Sequence, residues 1–109
     1  MQAAVLHHLG GPFSVEEVDL LAPGPGEVRV RLAAAGVCHS DWHMVVGDLH
    51  RPLPVILGHE GAGIVEALGS GVTAVQPGDP VILNWAPDCG HCFYCSRAQP
   101  ALCETFAPV

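Results

Sequence analysis

Apolar and polar residues alternate along this chain in short stretches bounded by glycine and proline, the signature of brief strands joined by tight turns. Residues 2–9 and 13–19 read as two strands across a turn at Gly10-Gly11-Pro12, and residues 22–26 (Ala-Pro-Gly-Pro-Gly) form a rigid loop with no helical potential. From 27 to 32 the alternation is strict. Val28, Val30 and Leu32 face one way and Glu27, Arg29 and Arg31 the other, which predicts a half-buried strand that small residues 33–36 carry toward Cys38. Residues 40–46 predict a short helix with Ser40 as its N-cap, broken by Pro52 and Pro54 ahead of an extended Val55-Ile56-Leu57. A glycine-studded strand follows over 61–68 and ends in Gly69-Ser70-Gly71. Pro77-Gly78-Asp79 has the chemistry of a type II turn, and Val81-Ile82-Leu83 follows as a buried strand leading into a cysteine-rich stretch.

These elements predict a mainly β domain with a twisted, barrel-like character, because no long helices alternate with the strands. At 109 residues the chain holds one domain at most. Half of it is apolar, and thirteen glycines and ten prolines spread along its length agree with many turns. Four arginines and no lysine face eleven acids, a net charge of −7 that repels phosphate backbones and excludes nucleic acid as a partner. A phosphate-bearing cofactor, which needs only local donors, stays compatible. The first residues lack the basic and long apolar regions of a signal peptide, and no apolar run approaches the ~18 residues of a membrane span. The sequence therefore points to a cytoplasmic chain whose thiols stay reduced.

Four of its five cysteines, Cys89, Cys92, Cys95 and Cys103, follow the pattern C-x-x-C-x-x-C-x(7)-C. Each C-x-x step brings two sulfurs to one tetrahedral ion, and the longer last step returns the chain to the fourth corner. An all-thiolate shell leaves no open position, which is the chemistry of a structural Zn²⁺. Two disulfides are the alternative, opposed by the fifth cysteine and the absence of an export signal.

That fifth cysteine, Cys38, sits in Gly36-Val37-Cys38-His39-Ser40-Asp41-Trp42-His43, with Gly58-His59-Glu60-Gly61 twenty-one residues on. One thiolate and one imidazole suit a catalytic zinc that keeps a position for water or substrate. Ser40 and His43 offer groups that pass a proton to solvent. Asp41 is placed to accept the second ring N–H of His59, and Glu60 to tune or ligate the metal. Against this stands a plainer account, in which Cys38 is a small buried hydrophobe and His59-Glu60 a solvated loop.

Taken together, the Gly-His-Glu-x-x-Gly run at 58–63 followed by Gly69, the Gly-Val-Cys-His-Ser-Asp run at 36–41 and the four-cysteine lobe resemble the N-terminal GroES-like part of the zinc-dependent medium-chain alcohol dehydrogenases. Pro23-Gly24-Pro25-Gly26-Glu27-Val28 and Pro77-Gly78-Asp79 also match that family's loops, so the resemblance spans essentially the whole chain. It implies that Cys38 and His59 are two of three ligands of a catalytic zinc. It implies that Ser40 is the proton-relay hydroxyl, His43 the final relay group, and Asp41 and Glu60 the supporting carboxylates. His39 takes the place of a residue touching the cofactor's pyrophosphate. Trp85 takes that of an aromatic residue lining the substrate pocket, with ordinary core packing as the alternative. The implied activity is NAD(P)-dependent oxidation of a small alcohol to an aldehyde or ketone. Ser rather than Thr at position 40 leaves slightly more room near the reacting carbon.

The resemblance also sets expectations about what lies outside residues 1–109. The family's third zinc ligand, the closing strands of its GroES-like domain and its nicotinamide-binding Rossmann domain fall beyond Val109, and no G-x-G-x-x-G follows a strand here. The expectation is a partly open GroES-like β-barrel with a zinc lobe over 85–105, lacking closing strands and Rossmann domain: a fragment, inactive alone, whose open edges favour homo-oligomers. The alternative is a stand-alone zinc-binding interaction module without catalysis.

Overall fold

In order along the chain, the computed structural model, which describes residues 1–106, places β1 (Gln2–Leu6), β2 (Phe13–Glu17), β3 (Val28–Ala35), α1 (His39–Val46), β4 (Val55–Ile56), β5 (Gly61–Leu68) and β6 (Pro80–Ile82). Two three-stranded antiparallel sheets result, in the orders β2-β1-β4 and β3-β5-β6. The chain is mainly β, and among the described residues the sheets do not close into a barrel.

The core is small and draws on both sheets and the helix. Ala3, Val5 and Leu6 of β1 are buried, Leu6 completely, together with Val45 of α1 and Val65 of β5. The N–H of Gly10 donates to the carbonyl of Val45 at 2.7 Å, which docks the helix on the first turn. In the second sheet, β3 and β5 run from Val28 opposite Leu68 to Ala35 opposite Gly61, with irregularities at Arg29/Val30 and Leu32/Ala34. Both arginines of β3 reach one carboxylate, Glu66, at 3.6 and 3.3 Å. Gly69 allows the 22–26 loop to close on the end of β5, since a Cβ there would stand 1.7 Å from the carbonyl oxygen of Gly24.

Four expectations need correction. The Val28/Leu32 face is not half-buried: both side chains are exposed, because no described element packs across β3. Residues 81–83 do not form a buried strand either. β6 is an edge strand, and Ile82 is 85% exposed. The N-cap of α1 is Cys38, not Ser40, because the Asp41 carboxylate accepts the Cys38 N–H at 3.0 Å and starts the helix two residues earlier. Its end is set by Gly47 at φ 93°, which ends the helix before the prolines are reached. The turn at 76–79 is as expected: the Asp79 N–H donates to the Gln76 carbonyl at 3.1 Å, with Gly78 at φ 98°.

The uncovered faces show in the dimensions. The radius of gyration is 15.8 Å, against about 13 Å for a compact domain of this length.

Candidate metal centres

The first centre is a product of strand register. Because Ala35 pairs with Gly61, the next residues outward, Gly36 and Glu60, also meet, and the Gly36 N–H donates to the Glu60 carbonyl at 3.0 Å. Two residues past Gly36 the chain turns into α1 at Cys38, and one residue before Glu60 lies His59. The Cys38 sulfur, a His59 ring nitrogen and a Glu60 carboxylate oxygen fall within 4.8 Å of one another. Gly36 leaves the Glu60 carboxylate room to stand here, since a Cβ would lie 2.1 Å from Glu60 Oε2 and displace it.

The surrounding groups prepare these donors. The Ser40 hydroxyl lies 3.5 Å from the Cys38 sulfur, and hydrogen bonds from Ser40, then from His59, hold the Cys38 thiol below its ordinary range. His59 is raised, first by its hydrogen bond to Cys38 and further by the Asp41 charge, while burial opposes the rise. Both shifts draw on the Cys38–His59 contact, between two donors that a metal ion would bind together. Asp41 is the buried acid of the site. Its Oδ2 caps Cys38, and its Oδ1 lies 3.3 Å from His59 Nδ1 without a well-formed hydrogen bond. A small ring rotation that turns Nε2 to an ion would bring Nδ1–H onto this orphaned oxygen, the usual support for a metal-binding histidine. Cysteine, histidine and carboxylate together suit zinc with an open position.

Ser40 and His43 are not joined directly. The His43 Nδ1 instead faces Asp48 Oδ2 at 2.9 Å, and its ring meets His39 edge-on at 4.8 Å between centroids. His39 is exposed on the first turn of α1. Trp85 stands beside the centre, its ring 6.0 Å from that of His59 and 5.2 Å from that of Phe106. It belongs to the walls of two hollows that share Ser40 and His59, of about 390 and 380 Å³. The larger is lined also by Met44, Leu49, Arg51 and Phe106, none of which sequence reasoning singled out. Their signal is weak: Leu49 and Arg51 stand in an irregular loop with no periodicity, and Phe106 is distant in sequence. Arg51 is one of only four cations of the chain.

The second centre is the lobe after β6. Two 3₁₀ turns, Cys95–Arg97 and Pro100–Leu102, fold the chain so that the sulfurs of Cys89, Cys92, Cys95 and Cys103 all lie within 4.8 Å of one another, and none is in a disulfide. A zinc ion with bonds of about 2.3 Å sets its sulfurs ~3.8 Å apart, so the cluster fits a four-thiolate shell. Backbone N–H groups already point at the sulfurs, from Cys92 to Cys89 at 3.3 Å and from Cys89 to Cys103 at 3.4 Å. Arg97 lies over the Phe93 ring at 3.7 Å and closes the outer side.

Comparison with known proteins agrees with this geometry. Residues 24–108 match the family described as the alcohol dehydrogenase GroES-like domain. An NDMA-dependent alcohol dehydrogenase of Amycolatopsis methanolica is 47% identical over 108 residues, 99% of this chain and 29% of that protein. Among solved structures, an alcohol dehydrogenase zinc-binding domain protein from Burkholderia ambifaria is 44% identical with a TM-score of 0.86, covering 96% of this chain and 28% of the other. A cobalt- and zinc-bound thermostable alcohol dehydrogenase from Pyrobaculum aerophilum is 39% identical with a TM-score of 0.84, covering 97% of this chain and 33% of the other. The chain thus spans about a third or less of the length of these relatives.

Proposed function

The chain belongs to the alcohol dehydrogenase GroES-like domain family, and from that premise we propose that it forms the zinc-binding, substrate-facing part of an NAD(P)-dependent alcohol dehydrogenase acting on a small alcohol or aldehyde. The observation that carries this reading is the convergence of Cys38, His59 and Glu60 beside a hollow walled by Ser40 and Trp85. A zinc ion held there would supply Lewis acidity, lowering the proton affinity of an alcohol oxygen. Cys38 and His59 would hold the ion, with Asp41 orienting His59 and Glu60 offering a further carboxylate donor.

Ser40 then has two tasks. Its hydroxyl supports the Cys38 thiolate, and it faces the hollow where it accepts the alcohol proton. His43 and His39 line the outward route of that proton and the approach of a nicotinamide cofactor's phosphates. His43 is not within direct reach of Ser40, so the route between them needs a bridging hydroxyl or water. A nicotinamide cofactor would supply the hydride acceptor, and residues 1–109 carry no strand–G-x-G-x-x-G–helix unit to serve as its platform. The four-cysteine lobe holds a second, structural zinc.

The test is alcohol-dependent NAD(P)⁺ reduction by the enzyme that contains this domain. Ser40→Ala should lower turnover by about 10²–10⁴-fold with zinc content unchanged. Full turnover in that variant, with chemistry shown to be rate-limiting, would remove the proton-transfer role. The purified 109-residue chain should bind zinc and show no turnover, and metal-dependent activity from it would overturn the division of labour. A stand-alone zinc module predicts no alcohol oxidation in either form.

A further inference from the structure

Helix α1 presents two imidazoles one turn apart, His39 and His43, on one face. Their ring centroids are 4.8 Å apart and their planes are inclined by 80°. Two imidazoles on one ion, with bonds of about 2.1 Å, rings of about 1.2 Å radius and an angle of about 90–110° at the ion, have centroids ~4.7–5.4 Å apart. The observed spacing falls in that interval.

A second observation concerns orientation. His43 Nδ1 lies 2.9 Å from Asp48 Oδ2, an arrangement in which Nδ1–H donates to the carboxylate and Nε2 keeps its lone pair free. Metal-binding histidines are held in this way. Asp48 stays in place because Gly47 turns the chain back at φ 93° and the N–H groups of Gly47 and Leu49 both donate to the His43 carbonyl at 3.1 Å. His39 is exposed and His43 is 42% exposed, so an ion reaches both from solvent. The positive end of the helix dipole opposes a cation here, whereas Asp41, Asp48 and the net charge of −7 favour one.

We propose that His39 and His43 form a surface two-imidazole site for a borderline divalent transition ion of the zinc, nickel or copper class, with Asp48 fixing the His43 tautomer and water completing the shell. The site is separate from both cysteine-containing centres and does not depend on the function proposed above. Where that function holds, an ion bridging the pair withdraws both imidazoles from cofactor and proton, so an excess of such ions inhibits through α1.

Nickel is the probe, because imidazole suits it and the thiolate centres can first be filled with zinc. Calorimetric titration with Ni²⁺ of the chain loaded with only two equivalents of zinc, which the two cysteine-containing centres take first, should show one further equivalent. His39→Ala and His43→Ala should each weaken it at least roughly tenfold, and Asp48→Asn by roughly tenfold or more. A His7→Ala/His8→Ala variant should bind as the parent does. Retained zinc at the four-cysteine lobe and unchanged far-UV circular dichroism verify folding in each case. Absence of a further equivalent overturns the proposal. So does an equivalent that survives both single histidine variants.

Discussion

Cys103→Ala is the sharpest test of the four-cysteine lobe. Cys103 is the buried member of the four, accepts the Cys89 N–H at 3.4 Å and lies 3.2 Å from the Thr105 hydroxyl. Those contacts, Thr105 first, pull its thiol down to about 6, whereas burial and the neighbouring Cys92 push Cys95 up to about 12. The surroundings of Cys103 thus favour its thiolate, and those of Cys95 favour its thiol. Structural zinc sites in small peptides are worth roughly 10–16 kcal/mol at neutral pH. An even quarter of that is about 3–4 kcal/mol, or ~10²–10³-fold in affinity. Cys103 should cost at least this much, because its loss also leaves the Cys89 N–H without its acceptor. Competition for zinc against a chromophoric chelator reads the affinity, and limited proteolysis of the 85–105 segment reads the accompanying loosening. Cys103→His should recover part of the loss by returning a ligand. An unchanged competition midpoint in Cys103→Ala would refute the four-thiolate assignment.

Asp41→Ala removes both the cap on Cys38 and the acceptor beside His59; helix stability should drop by about 1 kcal/mol and zinc affinity at the Cys38 centre by about 10–100-fold, measured by denaturation and metal competition. Leu6→Ala empties the only fully buried leucine of a small core, and urea denaturation should show a loss of about 2–5 kcal/mol. Glu16 is held below its ordinary value by His7 and then Ser14, so its stabilising contribution is present above the unfolded carboxyl's ordinary value of 4.5 and is lost as pH falls through the lower folded value. The melting-temperature difference between the parent chain and Glu16→Gln should therefore be present at pH 6 and close progressively below about pH 4.5; a difference that persists unchanged at pH 2.5 would contradict the pairing.

Much of this was legible in the residues because it depends on local chemistry. The C-x-x-C steps dictate sulfur convergence through covalent reach alone. Gly61 and Leu68 bound β5 where alternation starts and stops, and Pro77-Gly78 makes the same turn in any context that tolerates φ > 0. The approach of Asp41 to His59, 3.3 Å without a well-formed hydrogen bond, follows the expectation that a carboxylate stands near the second ring nitrogen of a candidate ligand histidine.

What the tertiary structure alone decided concerns groups whose partners lie far away in sequence. Alternation at Val28 and Leu32 shows that a strand has an apolar face; whether another layer covers it depends on the remaining elements, and none described here does. The same holds for Ile82 on the β6 edge. Periodicity placed the cap of α1 at Ser40, but the cap is set by which N–H a carboxylate reaches, and Asp41 reaches Cys38. Trp85 joins the metal site only because β6 pairs with β5 and delivers the following loop to His59. Cys38 and His59, twenty-one residues apart, become one site through the register of β3 on β5. Side-chain chemistry names the ligands, and long-range hydrogen-bond pairing brings them together.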